Sequence, residues 1–381
     1  MAGMEPQGSS LGFLGITLPS FRRNQVASME PGQEDDLQEL YQFQTNVTDR
    51  LLSLLPSTSS DDNSSSSSSS PSSSPLLSFS FLSKLLDALV SCQEDFGNLL
   101  LLLLDRNPAI LVKPPLDRLV PDLLDRAVKA LDVLNAVSLS LHALHHFSRQ
   151  AHIAATAAGQ SQLPRARRAL SKLLDETLPR SRSDRESGSG RSLSWSVSRS
   201  WSTPRGVGEP FSGGIAGGIG IAVHTLSTLI NFTMFVLAAA VPCVGGAAAP
   251  VAPLRQLQWS ATMVGLQERI VEEWRRNEKK GSGSLYVGLL AELQGVDIRS
   301  KCLIECVNET QEGERKSKVV ATGAELAEAC RLLEEGMGPF EKKVRAVSLR
   351  MFSSRSEVVR CLDRSTRSAS AASAPPTPPA L

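Results

Sequence analysis

Apolar residues recur at helical spacing along the first third of the chain. Leu37, Leu40, Val47, Leu51 and Leu54 form a stripe that predicts a first helix, and only Gln44 interrupts it. A second helix is predicted from Phe79 to the residue before Asn107-Pro108, because proline disfavours helical geometry in the residue that precedes it. The leucine run at 99–104 predicts burial on several sides of this second helix.

The clearest amphipathic pattern belongs to a third helix. Pro121 is predicted to open it, since proline is tolerated at the start of a helix. Its apolar stripe predicts a core helix, with Leu131 inside the core. The stripe consists of Leu124, Ala127, Val128, Leu131, Leu134, Leu141 and Leu144.

Three further helices are predicted near the C-terminal end, over residues 260–280, 322–335 and 339–363. Gly281 and Gly336 stand near the ends of two of them, where glycine is common. The last helix has a heptad-like stripe that predicts coiled-coil packing lengthwise along another helix. The stripe consists of Phe340, Val344, Val347, Met351, Val358 and Cys361, with Ser354 interrupting.

Low-complexity segments divide the chain into two helical halves. Serine-rich and Pro/Gly-rich stretches bury too little apolar surface to offset their ordering entropy, so we predict that they are disordered. The predicted organisation is a flexible segment 1–33, a helical half 34–178 with a serine-rich insert 57–75, a Ser/Arg/Gly linker 179–212 with paired tryptophans, an apolar helix 213–243, a second helical half 244–363 and a disordered tail 364–381.

An uncharged stretch from Ile215 to Val241 is long enough to cross a bilayer, which takes about 20 residues. Polar residues such as His224 and Asn231 dilute its hydrophobicity, and a helix buried inside a soluble bundle is also apolar all round. The sequence therefore supports two interpretations of this stretch about equally: a membrane segment and a buried core helix.

Composition favours an all-α fold, an elongated helical bundle with at most one membrane-spanning helix. Aromatic residues are only 5% of the 381 residues, and leucine and alanine dominate the apolar set. The net charge of +1 gives no general attraction to nucleic acid, so no nucleic-acid partner is expected.

The six cysteines are widely spaced and no secretory signal is recognisable, which predicts free thiols in a reducing, intracellular compartment.

The sharpest chemical signal is the histidine cluster His142, His145 and His146, which places possible metal ligands on one helical face. No H-E-x-x-H motif accompanies it, and no G-x-S-x-G motif occurs, so we predict no active site, no cofactor and no small-molecule substrate. Ser194 and Ser370 lie close after arginines in predicted flexible segments and are candidate phosphorylation sites.

Several segments together resemble the plant BYPASS-related family, and the resemblance covers nearly the whole chain. The most specific segment is DRAVKALDVLNAV at 125–137, and the WSVSRSW element at 195–201 is similar to the paired tryptophans of the family. The other matching segments are GSSLG at 8–12, RRNQVASM at 22–29, KLLDA at 84–88, LQERIVEEWRR at 266–276 and SRSEVVRCLD at 354–363.

The resemblance implies a non-enzymatic plant adaptor, since members of the family include interactors of an exocyst tethering subunit. It further implies roles in secretion or developmental signalling, and membrane localisation, single-pass or peripheral, with cytosolic helical regions. The cytosol is the alternative localisation. Two alternative functions stay open: a single-pass membrane protein acting as an anchor, and, more distantly, a metal-dependent enzyme that uses the histidine cluster.

Overall fold

The computed structural model describes residues 33–55, 76–175, 215–242, 253–279, 288–308 and 312–372. These ranges hold eight α-helices, one 3-10 turn and no strand, which confirms the predicted all-α class. The helices are α1 Gln33–Leu52, α2 Phe79–Arg106, α3 Leu116–Gly159, α4 Leu163–Asp175, α5 Ile215–Ala240, α6 Ser260–Lys279, α7 Ala291–Asn308 and α8 Glu312–Ala372, and the 3-10 turn is Ile110–Val112.

Helix α2 begins and ends where its sequence predicts. Ser78 caps the N-terminus, because its hydroxyl oxygen accepts a hydrogen bond from the Phe81 N–H at 3.2 Å. The Phe79 N–H donates to Glu292 Oε1 on α7 at 3.1 Å, and Asn107 follows the last turn. Four residues of the leucine run are buried, while Leu101 is exposed.

Helix α1 runs antiparallel to α2 and is tied to it by charged groups. Arg50 lies 2.6 Å from Asp95, and the Asn46 side chain donates to the same carboxylate at 3.0 Å. At the other end of α1, Asp36 pairs with Arg106. The apolar stripe of α1 is buried as predicted, except that Leu37 is half-buried.

Helix α3 differs from the prediction at its start and along one edge of its stripe. It begins at Leu116, and Pro121 lies inside it on the exposed side. Leu131 is only half-buried and Val128 is exposed, so the prediction that Leu131 lies deep in the core was wrong. The physical reason is that both residues lie at one edge of the stripe, whereas the neighbouring helices cover the opposite edge, which holds Ala127, Leu134 and Leu141.

The predicted break near Gly336 does not occur, because α8 is one continuous helix of 61 residues with Pro339 inside it. Gly336 does not end a helix, but its lack of a side chain lets the Phe79 ring approach the backbone of α8 closely. A Cβ atom there would lie 2.2 Å from the Phe79 ring, which packs against Phe340 with ring centroids 5.2 Å apart. The predicted stripe of α8 is buried throughout, and Ser354 is buried with it.

Helix α8 also continues nine residues past its predicted end at Asp363, to Ala372, so this part of the predicted disordered tail is helical. Ser365 is fully buried, and its Oγ accepts a hydrogen bond from the Leu111 N–H at 3.1 Å. That contact with the 3-10 turn holds the added turns in place.

A single core joins the two predicted halves of the chain. Helix α8 runs antiparallel to α3, as Ser148–Glu334 and His145–Glu341 show, and parallel to α2, as Asp87–Lys343 and Asp105–Arg364 show. One continuous cluster of buried apolar residues includes side chains from all eight helices. The apolar patterns did not predict α4 and α7. These two helices pack together at one end of the bundle, where the Arg167 guanidinium of α4 donates a hydrogen bond to the Val307 carbonyl of α7 at 2.8 Å.

Candidate functional site

Helix α5 occupies the middle of the bundle. It is one of two described helices long and apolar enough to cross a membrane, and its most apolar 18 residues, within Ala216–Ala240, have a mean hydropathy of 1.7. The other is α3. In α5, 89% of the apolar window is buried inside the protein, against 44% in α3. Contacts with α1, α2, α3 and α6 cover α5 on all sides, as is typical of a core helix.

Thr225 links α5 to α1 through side-chain hydrogen bonds. Thr225 Oγ1 accepts a hydrogen bond from the Gln44 side-chain amide at 3.0 Å and donates to the Ile221 carbonyl at 2.8 Å. The Gln44 carbonyl oxygen accepts from the indole N–H of Trp259 at 2.9 Å, and Trp259 is fully buried. Gln44 therefore joins α1, α5 and the segment entering α6. Its break in the apolar stripe of α1 was the sequence signal for this contact.

Two further polar residues are buried inside the bundle: His224 is 3% exposed, and Arg126 of α3 is 6% exposed. Burial lowers the pKa of His224 to about 4, and the positive charge of Arg126 acts in the same direction. The His224 ring lies 3.3 Å from the Thr228 hydroxyl. Nothing in the apolar pattern of α3 indicated that Arg126 faces inward, because basic residues are usually exposed.

We predict that the stability of the protein falls as the pH drops below the ordinary histidine pKa. Between pH 6.5 and about 4 the unfolded chain binds a proton at His224 while the folded chain does not, so stability is complete above 6.5 and is lost as pH falls. The expected loss between pH 7 and pH 5 is about 2 kcal/mol. Urea unfolding at both pH values measures it, and His224→Gln should remove that part of the slope. An unchanged slope in the variant would show that His224 does not carry it.

The three histidines of the cluster have different surroundings. His142 and His146 are exposed, whereas His145 Nε2 lies 3.6 Å from Glu341 on α8. Among the residues that the structure describes, no three His, Cys, Asp or Glu side chains are grouped so as to hold a metal ion. The metal-dependent alternative therefore gains no support from the described histidines.

The cysteines and candidate phosphorylation sites can be placed only in part. Five cysteines are described and all five are free thiols, and burial raises the pKa of Cys92 to about 11 and that of Cys330 to about 12. Ser370 is exposed near the end of α8, and its hydroxyl donates to the Thr366 carbonyl at 3.0 Å. Ser194, Cys243 and the paired tryptophans lie outside the described residues.

A groove of about 300 Å³ lies between the second halves of α2 and α8. Ion pairs mark its two ends: Arg350 with Glu357 at 3.4 Å, and Arg364 with Asp105 at 2.8 Å. The lining is mainly apolar, and Gly97 leaves space in it, since a Cβ there would meet only Glu357, at 3.5 Å. The lining residues are Gly97, Leu100, Leu101, Ser354, Glu357, Val358, Arg360, Cys361 and Arg364.

The described chain is thus an all-helical bundle protein organised around one buried apolar helix, with an apolar groove on its surface. It belongs to the ROH1-like family, whose model matches residues 1–188 and 175–362. Protein ROH1A of Arabidopsis thaliana is 32% identical, over 94% of this chain and 96% of that protein. Protein ROH1D of the same plant is also 32% identical, over 84% of this chain and 87% of that protein.

These relatives confirm the resemblance to the BYPASS-related family, to which ROH1A and ROH1D belong. Neither relative carries the name of an enzyme. No solved structure matches the chain.

Proposed function

We propose that this protein is a non-enzymatic plant adaptor. It binds a tethering subunit of the exocyst, or another regulatory protein, through the outer faces of its helices. In this way it modulates secretion or developmental signalling. The class of partner comes from the resemblance to the BYPASS-related family, and the groove between α2 and α8 is the structural observation that carries the proposal.

The groove suits an amphipathic helix of a partner. Leu101 is 52% exposed at its edge, and Leu100, Val358 and Cys361 supply an apolar floor. Burying such side chains against a partner is favourable, at roughly 25 cal/mol per Å² of apolar surface removed from water. Arg360 stands beside this apolar floor, where it can pair with a carboxylate on the polar side of the incoming helix.

The rigid surroundings of the groove support the same proposal. Both walls belong to long helices, and the ion pair between Arg364 of α8 and Asp105 of α2 joins them. A preformed groove needs little ordering when a partner binds, so more of the contact energy appears as affinity. We also propose that the protein associates with membranes peripherally. The burial of α5 in the core supports peripheral association over a membrane-spanning α5.

A single-pass membrane anchor is the second candidate. The length and hydropathy of Ala216–Ala240 favour it. As a membrane span, however, α5 would have to leave the core, where it packs against α1, α2, α3 and α6. That would expose the apolar faces of those helices to water.

The groove is tested by measuring the affinity of the purified chain for purified exocyst subunits. We expect Leu101→Glu to weaken binding by about tenfold or more, because it places a charge in an apolar contact. Leu101 is half exposed, so the variant should fold. Leu139→Glu is the matched control, since Leu139 is 61% exposed on α3, away from the groove. Wild-type protein that binds none of the subunits, or equal binding by wild type and Leu101→Glu, would contradict the proposal.

A further inference from the structure

The outer face of α8 carries the two most exposed large apolar side chains of the described residues. Leu349 is 69% exposed and Phe352 is 62% exposed. They are three residues apart and therefore project from the same side of the helix. Side chains of this size are usually covered, so a pair exposed together on one face indicates a surface that contacts something else.

Positive charge surrounds this pair. Lys342 and Arg345 precede it by one to two turns and Arg360 follows it by two, and all three are exposed. Within α8, the positions of this face between Lys342 and Arg360 carry no carboxylate. Arg345 pairs with Glu341 at 3.1 Å, whereas Lys342 and Arg360 form no ion pair within the described part of the chain. The face spans about 27 Å along the helix, at 1.5 Å per residue.

We propose that this outer face of α8 binds an anionic lipid surface. Leu349 and Phe352 enter the boundary between lipid head groups and acyl chains, while the basic side chains contact lipid phosphates and carboxylates. The long stems of lysine and arginine let their charges reach the head groups while their methylene groups cover apolar surface. This peripheral contact goes beyond the adaptor role and leaves α5 inside the core.

The shape of the face favours lipid over a protein partner. Leu349 and Phe352 stand on the outer side of one helix, and neither lines the groove between α2 and α8. A protein partner needs complementary shape to bury such side chains, whereas fluid lipid adapts to a convex surface. Anionic lipid also matches the basic character of the whole face, because the surface potential of a cytoplasmic leaflet attracts each nearby cation.

Sedimentation with vesicles tests the proposal on the full-length chain. The probes are vesicles of phosphatidylcholine alone and vesicles of phosphatidylcholine mixed with phosphatidylserine. We expect binding to the anionic vesicles only, weakened by added salt. The double variant Leu349→Glu with Phe352→Glu should bind about tenfold more weakly or worse. Lys342→Gln with Arg345→Gln should weaken binding about 25-fold, at about fivefold per cation.

The control is Leu139→Glu, which places the same charge at an equally exposed leucine of α3 and should bind vesicles like the wild type. Circular dichroism of every variant checks that the bundle is intact, as expected for exposed positions. Wild-type protein that ignores anionic vesicles, or binds both vesicle types equally, overturns the proposal. So does a Leu349→Glu/Phe352→Glu variant that keeps vesicle binding but loses an exocyst subunit, which would make the face a protein-docking surface. The Leu101→Glu variant should still bind vesicles, so failure of the groove and failure of the lipid face can be told apart.

Discussion

A chain with arginine at both Leu229 and Val236 is expected to lose the helical-bundle fold. Both side chains lie in the core on α5, at most 1% exposed. An unpaired buried charge costs several kcal/mol, and two of them approach or exceed the roughly 5 to 15 kcal/mol that stabilises a folded domain. Circular dichroism and size-exclusion chromatography should show lost cooperative unfolding and aggregation. The wild-type chain should be folded without detergent.

The control for this experiment is Ala238→Lys, on the same helix at a partly exposed position. Its ammonium can reach water along the flexible stem, so the fold should survive. The membrane reading gives the opposite result for the double arginine variant, because two charges at mid-bilayer depth cost about 5 kcal/mol of insertion energy. Membranes that retain the wild-type chain through a carbonate wash and release a still-folded variant would therefore show that α5 is a span.

Leu134→Asp is expected to prevent folding through a different helix. Leu134 is fully buried on α3, at the centre of the bundle. The substitution removes a packed leucine, which costs about 2 to 5 kcal/mol, and leaves a carboxylate without a partner in apolar surroundings. The unfolding midpoint in urea, or the absence of any folded protein, measures the effect.

Leu139→Asp provides the comparison on the same helix, because Leu139 is 61% exposed and should tolerate the change within about 0.5 kcal/mol. A Leu134→Asp protein with the wild-type midpoint would contradict the buried face of α3 described above. Leu131→Asp should fall between the two, since Leu131 is half-buried.

Local signals predicted the helices well where the ends carry recognisable chemistry. Helix α2 has a serine cap at one end and an Asn-Pro pair at the other, and both ends agree with the prediction. The buried stripe of α8 was also predicted, because a spacing of three and four residues fixes one face of a helix whatever packs against it. The extent of the apolar helix α5 was predicted to within a few residues from its lack of charged side chains.

The errors arise where distant contacts override local preferences. Gly336 has the signature of a helix end, yet it is retained inside α8 because the Phe79 ring occupies the space of a side chain. The hydroxyl-rich residues after Asp363 have weak helical preference, and the bond from Leu111 to Ser365 extends the helix through them. Neither partner is visible from the local sequence.

The candidate surfaces were harder to predict than the fold. Hydrophobicity alone could not distinguish a membrane span from a core helix at α5, since both environments are apolar, and only the covering helices distinguish them. The sequence pattern did not predict that Leu349 and Phe352 are exposed, because exposure depends on which surfaces the neighbouring helices cover. The groove likewise depends on two helices that are far apart in the chain.

The single core shared by both halves has a consequence for how the protein is made. Gln93 on α2 contacts Met351 on α8, 258 residues further along. At about 5 to 20 residues per second, a ribosome needs roughly 10 to 50 seconds to synthesise the chain between them. During that interval α2 and α3 have already emerged without the helix that covers them. Their leucine-rich faces are then available to chaperones or to neighbouring nascent chains, because the core is complete only after α8 has been synthesised.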